Sequence, residues 1–128
     1  MRKEQKFFLC KLCGNLVALV ESAGVPLFCC GEMMMELSPN TADAAKEKHI
    51  PTVKVSGSEV YVEVGSVSHP MQPEHHIPWI YLQTEKGGQR KHLAVPGEAK
   101  TRFIMTDDDK PLVVFSYCNL HGLWKTMC

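Results

Sequence analysis

A mainly β chain, with a small cysteine-rich module ahead of an antiparallel sandwich, is predicted by three observations. Apolar residues alternate with period two beyond Pro51, turn signals separate the alternating runs at short intervals, and four of the six cysteines lie before Glu36. The leading module carries Cys10, Cys13, Cys29 and Cys30, with Gly14 and Gly31 after each pair, and few long apolar runs. Below about 40 residues a domain rarely folds on burial alone and needs a metal, a disulfide or a partner subunit. A metal would meet that need here.

Leu37-Ser-Pro-Asn-Thr-Ala-Asp43 is turn-rich and reads as a linker, followed by a short helical piece through Ala44, Ala45, Lys46 and Glu47. The expected division is therefore 1–37 and 38–128. Val53 and Val55, the Gly57-Ser58 turn, then Val60, Val62 and Val64 opposite Tyr61 and Glu63 predict a β-hairpin. Further strands are expected at Trp79–Thr84, Lys91–Val95, Thr101–Met105 and Leu112–Tyr117, with one more from Gly122 to Met127. Their turns are Lys86-Gly-Gly, Pro96-Gly97 and Thr106-Asp-Asp-Asp109. Short strands at this spacing predict an antiparallel sandwich of the immunoglobulin-like kind.

The 14 basic and 14 acidic residues of the 128 balance, so no global field recruits nucleic acid or an anionic membrane. The opening MRKEQKFFLC holds a three-residue apolar run, far short of a signal-peptide core, and no stretch nears the roughly 20 apolar residues of a membrane helix. A cytoplasmic protein is expected. In a reducing compartment, clustered cysteines are more often metal ligands or redox groups than structural disulfides.

Cys10-Lys-Leu-Cys13 puts two thiolates on one tight turn, and Cys29-Cys30 supplies two more, giving four soft donors suited to a tetrahedral iron or zinc ion. Sulfur ligation alone does not separate the two metals. The vicinal second pair, unlike the spaced pairs of zinc ribbons, favours a rubredoxin-like single iron. Cys128 has no partner in the pattern and reads as a free exposed thiol.

Five of the six histidines, together with Cys118, fall in or beside the loops of the expected sandwich: His49, His69, His75-His76 and His121. His92 sits in a basic strand and reads as ordinary surface. Cys118-Asn-Leu-His121 is the tightest piece, a thiolate and an imidazole on one turn, as a shared metal requires. A cysteine nucleophile activated by one histidine competes with that reading, but it leaves His49, His69 and His75 without a role. Mixed imidazole and thiolate ligation suits a redox-active iron instead, with spacing unable to choose between His75 and His76.

Over nearly its whole length the chain resembles the desulfoferrodoxins, the two-iron class of superoxide reductases. Cys10-x-x-Cys13 with Cys29-Cys30 is similar to the family's desulforedoxin-type domain. Glu47-Lys-His-Ile-Pro51, His69-Pro70, His75 and Ser116-Tyr-Cys-Asn-Leu-His-Gly-Leu-Trp124 are similar to its catalytic domain. The resemblance implies a ferric ion on the four cysteines and a second iron, cycling between ferrous and ferric, with His49, His69, His75 and His121 equatorial and Cys118 axial. It selects His75 over His76. It further implies one-electron reduction of superoxide to hydrogen peroxide, an external donor such as a rubredoxin-like protein or another reductase, and a homodimer. Lys48 would raise the local concentration of the anionic substrate. Glu47 would ligate the ferric iron once product has left. Two other readings remain: a rubredoxin-like electron carrier fused to a binding domain, and a zinc-bearing interaction protein.

Overall fold

The computed structural model describes residues 3–41 and 49–128. The chain divides into two compact units, Arg2–Ser38 and Pro39–Cys128. Every regular element among the described residues is a strand, as the sequence predicts for a mainly β chain. The expected helical piece at Ala44–Glu47 lies outside the described residues.

In the smaller unit, β1 (Lys6–Leu9), β2 (Leu16–Leu19) and β5 (Met35–Glu36) form a three-stranded sheet in the order β2-β1-β5. Strands β3 (Phe28–Cys29) and β4 (Glu32–Met33) form a separate hairpin. Its two-residue turn, Cys30-Gly31, has both φ angles positive, 54° and 74°. Such a turn matches the twist of the flanking strands, but a residue with a Cβ rarely adopts the left-handed conformation that Cys30 holds. Only Phe7, Cys10 and Met34 are buried among the described residues of this unit.

The larger unit is a sandwich of two antiparallel sheets. Its strands are β6 (Pro51–Ser56), β7 (Glu59–Val64), β8 (Trp79–Thr84), β9 (Gly88–His92), β10 (Lys100–Ile104), β11 (Pro111–Cys118) and β12 (Gly122–Met127). One sheet runs β10-β7-β6 and the other β12-β11-β8-β9. The predicted period-two pattern is visible in β7, where Val60, Val62 and Val64 are buried while Tyr61 and Glu63 face outward. These valines join Phe103 of β10, Ile80 and Leu82 of β8, and Val114 and Cys118 of β11 in one core cluster.

One strand departs from expectation. The alternation over Lys91–Val95 reflects real burial, since Leu93 and Val95 pack against the core, but the ladder uses Gly88–His92. Gly87-Gly88 reads as a pure turn from sequence. Gly88 instead pairs with Gln83, and a side chain there would collide with the Tyr81 hydroxyl, so the glycine belongs to the strand.

Candidate metal centres

The hairpin between β1 and β2 presents the first two thiols. Cys10 N–H donates to Asn15 O at 2.8 Å and Gly14 N–H to Cys10 O at 2.9 Å, which wraps residues 10–15 into a compact loop. Gly14 has φ of 83°, a value that glycine adopts without strain. The Cys30-Gly31 turn brings the other two. All four sulfur atoms lie within 4.8 Å of one another, with Cys13 Sγ 3.6 Å from Cys29 Sγ and Cys29 Sγ 3.9 Å from Cys30 Sγ. A tetrahedron with metal–sulfur bonds of about 2.3 Å has edges of about 3.8 Å, whereas a disulfide spans about 2.05 Å. The cysteines are all free thiols, and the spacing fits one tetrahedral ion.

Proton sharing within the set points the same way. The backbone N–H of Cys13 is the main cause that lowers Cys10 to about 7, while Cys30 is pushed up to about 12, chiefly by the sulfur of Cys13. Cys29 is raised as well, mainly by Cys10. Sulfurs this close share protons, so that Cys29 and Cys30 hold theirs while Cys10 gives its up more readily. A cation at their centre would let all four ionise.

The second cluster gathers at one end of the sandwich. The ladder sets Pro51 at the start of β6 against Val64 at the end of β7, and Cys118 at the end of β11 against Gly122 at the start of β12. His49 precedes β6, His69 and His75 lie in the loop from β7 to β8, and His121 sits on the turn after Cys118. Gly122, at φ of 83°, closes that turn.

Four imidazoles form a closed circuit. Ring centroids are 5.0 Å apart for His49–His69, 4.7 Å for His69–His75, 5.2 Å for His75–His121 and 4.6 Å for His121–His49. The His49–His75 diagonal is 6.3 Å, so the rings outline a slightly folded square, each meeting its neighbour edge-on. His49 Nε2 lies 2.9 Å from His121 Nδ1, which in turn is 3.6 Å from Cys118 Sγ. Donor atoms of His49, His75, Cys118 and His121 all fall within 4.8 Å of one another. His69 is outside that tightest set and completes the square through its ring.

Protonation favours ligation. The carbonyl of Pro70 can only accept, so His69 Nδ1 carries the proton it donates at 2.7 Å, leaving the lone pair on Nε2. His69 Nε2 and His75 Nε2 are buried without a hydrogen-bond partner, an arrangement that is costly unless something else engages them. Burial, aided by the neighbouring imidazoles and opposed by the Pro70 hydrogen bond, pushes His69 down to about 4. It is therefore neutral at neutral pH, as a ligand must be. The donors fit a metal ion.

The histidine pair left open by spacing is separated here: His75 faces the cluster, whereas His76 Nδ1 donates to Gln72 O at 3.1 Å. His92 is exposed on β9. Glu47 and Lys48 lie outside the described residues. Sequence reasoning missed two supports of His49. Trp124 stacks on its ring at 4.8 Å and 13°, with Nε1–H donating to His121 O at 3.2 Å, and Ser116 Oγ donates to His49 O at 3.3 Å. Once Cys118 and Gly122 are taken as a hairpin pair, counting back sets Ser116 opposite Trp124, so the signal was present in the spacing.

Two family models match the chain, the N-terminal domain of desulfoferrodoxin over residues 2–37 and desulfoferrodoxin over residues 41–127. A desulfoferrodoxin of Syntrophotalea carbinolica is 40% identical over 126 residues, covering 98% of both chains. Among solved structures, the superoxide reductase from Treponema pallidum is 43% identical with a TM-score of 0.84, covering 96% of this chain and 98% of that one. A one-iron superoxide reductase from Giardia intestinalis is 33% identical with a TM-score of 0.56, covering 65% of this chain and 98% of that one.

Proposed function

The chain belongs to the desulfoferrodoxin family, and from that premise we propose that it is a superoxide reductase with two iron ions per chain. The observation that carries this reading is the square of four imidazoles beside Cys118, with the Nε2 atoms of His69 and His75 buried and unengaged. A plain electron carrier fused to a binding domain would leave these histidines scattered, and it is not favoured. Iron also agrees with the family for the four-thiol set, where zinc would fit the sulfurs equally well.

His49, His69, His75, His121 and Cys118 would hold the reactive iron, and Cys10, Cys13, Cys29 and Cys30 a second, ferric one. The reactive iron, alternating between ferrous and ferric, would supply the one electron that superoxide takes up with two protons to become hydrogen peroxide. Neutral imidazoles and the Cys118 thiolate would provide strong donation without excess positive charge. Lys48, one residue from His49, would draw the anionic substrate to this end of the sandwich. The carboxylate of Glu47 is a hard oxygen donor suited to the oxidised state.

A one-electron donor such as a rubredoxin-like protein or another reductase would complete the cycle. We also propose a homodimer, a cytoplasmic setting suited to four free thiols, and a division of labour between an iron module over 1–37 and a catalytic sandwich over 38–128.

Reduced protein mixed with superoxide should yield one peroxide per superoxide with no dioxygen, and the purified protein should hold two irons per chain. Dioxygen evolution, or a protein that retains iron on the cysteines alone, would overturn the reading. By pulse radiolysis, Lys48→Ile should capture superoxide at least about tenfold more slowly at low ionic strength, with the gap narrowing as salt is added. An unchanged bimolecular rate would remove Lys48 from this role.

A further inference from the structure

His75 comes to the square from the β7–β8 loop, outside any strand, so its position has to be imposed by neighbours. Part of that restraint is internal. Gln72 N–H donates to His75 O and His75 N–H donates to Gln72 O, each at 3.0 Å, which closes a tight turn. This fixes the shape of the turn but not where it stands relative to Cys118 and His121.

Asn119 supplies the missing tie. Its side-chain Nδ2 donates to Glu74 O at 3.2 Å, and its Oδ1 accepts from His76 N–H at 2.9 Å. Its backbone N–H donates to His76 O at 3.2 Å. The amide thus grips the peptide groups on both sides of His75, as a paired strand would, and its own chain neighbour is Cys118. Asparagine suits the task because one planar group offers a donor and an acceptor side by side. Exposed and uncharged, Asn119 adds no charge to the cluster.

We propose that Asn119 is a positioning residue that sets His75 relative to Cys118 and His121, and thereby the affinity and spectrum of the second centre. The proposal rests on the reading of the imidazole square as a metal site. Lone-pair bonds to a metal are directional, so a loop free to drift would weaken one ligand and alter the field felt by the others.

The test compares the iron-loaded wild type with Asn119→Ala and Asn119→Asp by competition against a chelator and by visible absorption. Because Asn119 is exposed, Asn119→Ala should keep the melting temperature of the metal-free protein and the iron of the four-thiolate site. It should bind the second iron about 10–100-fold more weakly and shift the thiolate-to-iron absorption of that centre. Asn119→Asp keeps the acceptor for His76 N–H but loses the donor to Glu74 O, and should fall between the two.

Wild-type affinity and an unshifted band in Asn119→Ala, with wild type holding two irons, would overturn this proposal alone. So would a fall in the metal-free melting temperature with the band still in place, because that describes a merely structural residue. A wild type that takes up iron only on its four thiolates would overturn the superoxide reductase reading, and this inference with it.

Discussion

The two donor clusters sit in units that relate to them in opposite ways. In the smaller unit the four sulfurs stand in for a core, since Phe7, Cys10 and Met34 are the buried residues among those described, and one of the three is itself a donor. In the larger unit the core of Val60, Val62, Val64, Ile80, Leu82, Phe103 and Val114 takes in the donor Cys118 but none of the histidines, which gather at its end with His49 and His69 buried there. Metal is fold in the first case and cargo of the fold in the second. Which of these a cluster represents follows from how much apolar surface lies beneath it, not from the number of its ligands.

The largest expected effect follows from stripping both metals under reducing conditions. Amides of β1 and β2 should then exchange with solvent as in an unfolded chain, while those of β7, β8 and β11 stay protected, as hydrogen exchange would report. Protection that survives in β1 would break the contrast. Next comes the core: Phe103→Ala, at a fully buried site, should cost the larger unit about 3–5 kcal/mol by denaturant unfolding, yet leave the absorption of the four-thiolate iron unchanged. A loss of that absorption together with the sandwich would show that the units do not stand alone.

The smallest effect concerns His69 in the metal-free protein. Its folded pKa of about 4 lies below the usual 6.5, so between those values the unfolded chain binds more protons than the folded one. Stability is therefore highest above about pH 6.5 and declines as the pH falls towards 4, by on the order of 2 kcal/mol after allowance for solvent screening. Urea titrations of the metal-free protein across that range would reveal the slope, and His69→Gln should flatten it.

Much of the larger unit was legible because alternation is a direct image of a two-sided sheet. β8 and β12 match the expected Trp79–Thr84 and Gly122–Met127, and β7 carries its valines inward. The strands of the smaller unit went unread because runs of two to four residues, such as Phe28–Cys29, are too short to show a period. Donor residues were legible where spacing fixes geometry locally, as in Cys10-x-x-Cys13 and Cys118-x-x-His121. His69 and His75 needed the family resemblance, because nothing near them in sequence says that the rings will meet. Ser116 and Trp124 could be paired by counting back from the Cys118–Gly122 turn, but their contacts to His49, like those of Asn119 to Glu74 and His76, reach a distant segment, information that no short motif contains.

The dispersal of the histidines along the chain also bears on how the protein comes into being. Cys10 to Cys30 leave the ribosome early and together, and their loops can close on an ion while the sandwich is still being synthesised. The imidazole square has no such head start. The β6–β7 hairpin can bring His49 and His69 near each other, but Cys118 and His121 join them only once β11 and β12 have been translated and paired, so the second site is complete only with the finished sheet. Where the ligands fall in the chain thus lets the first site close before the second can be complete.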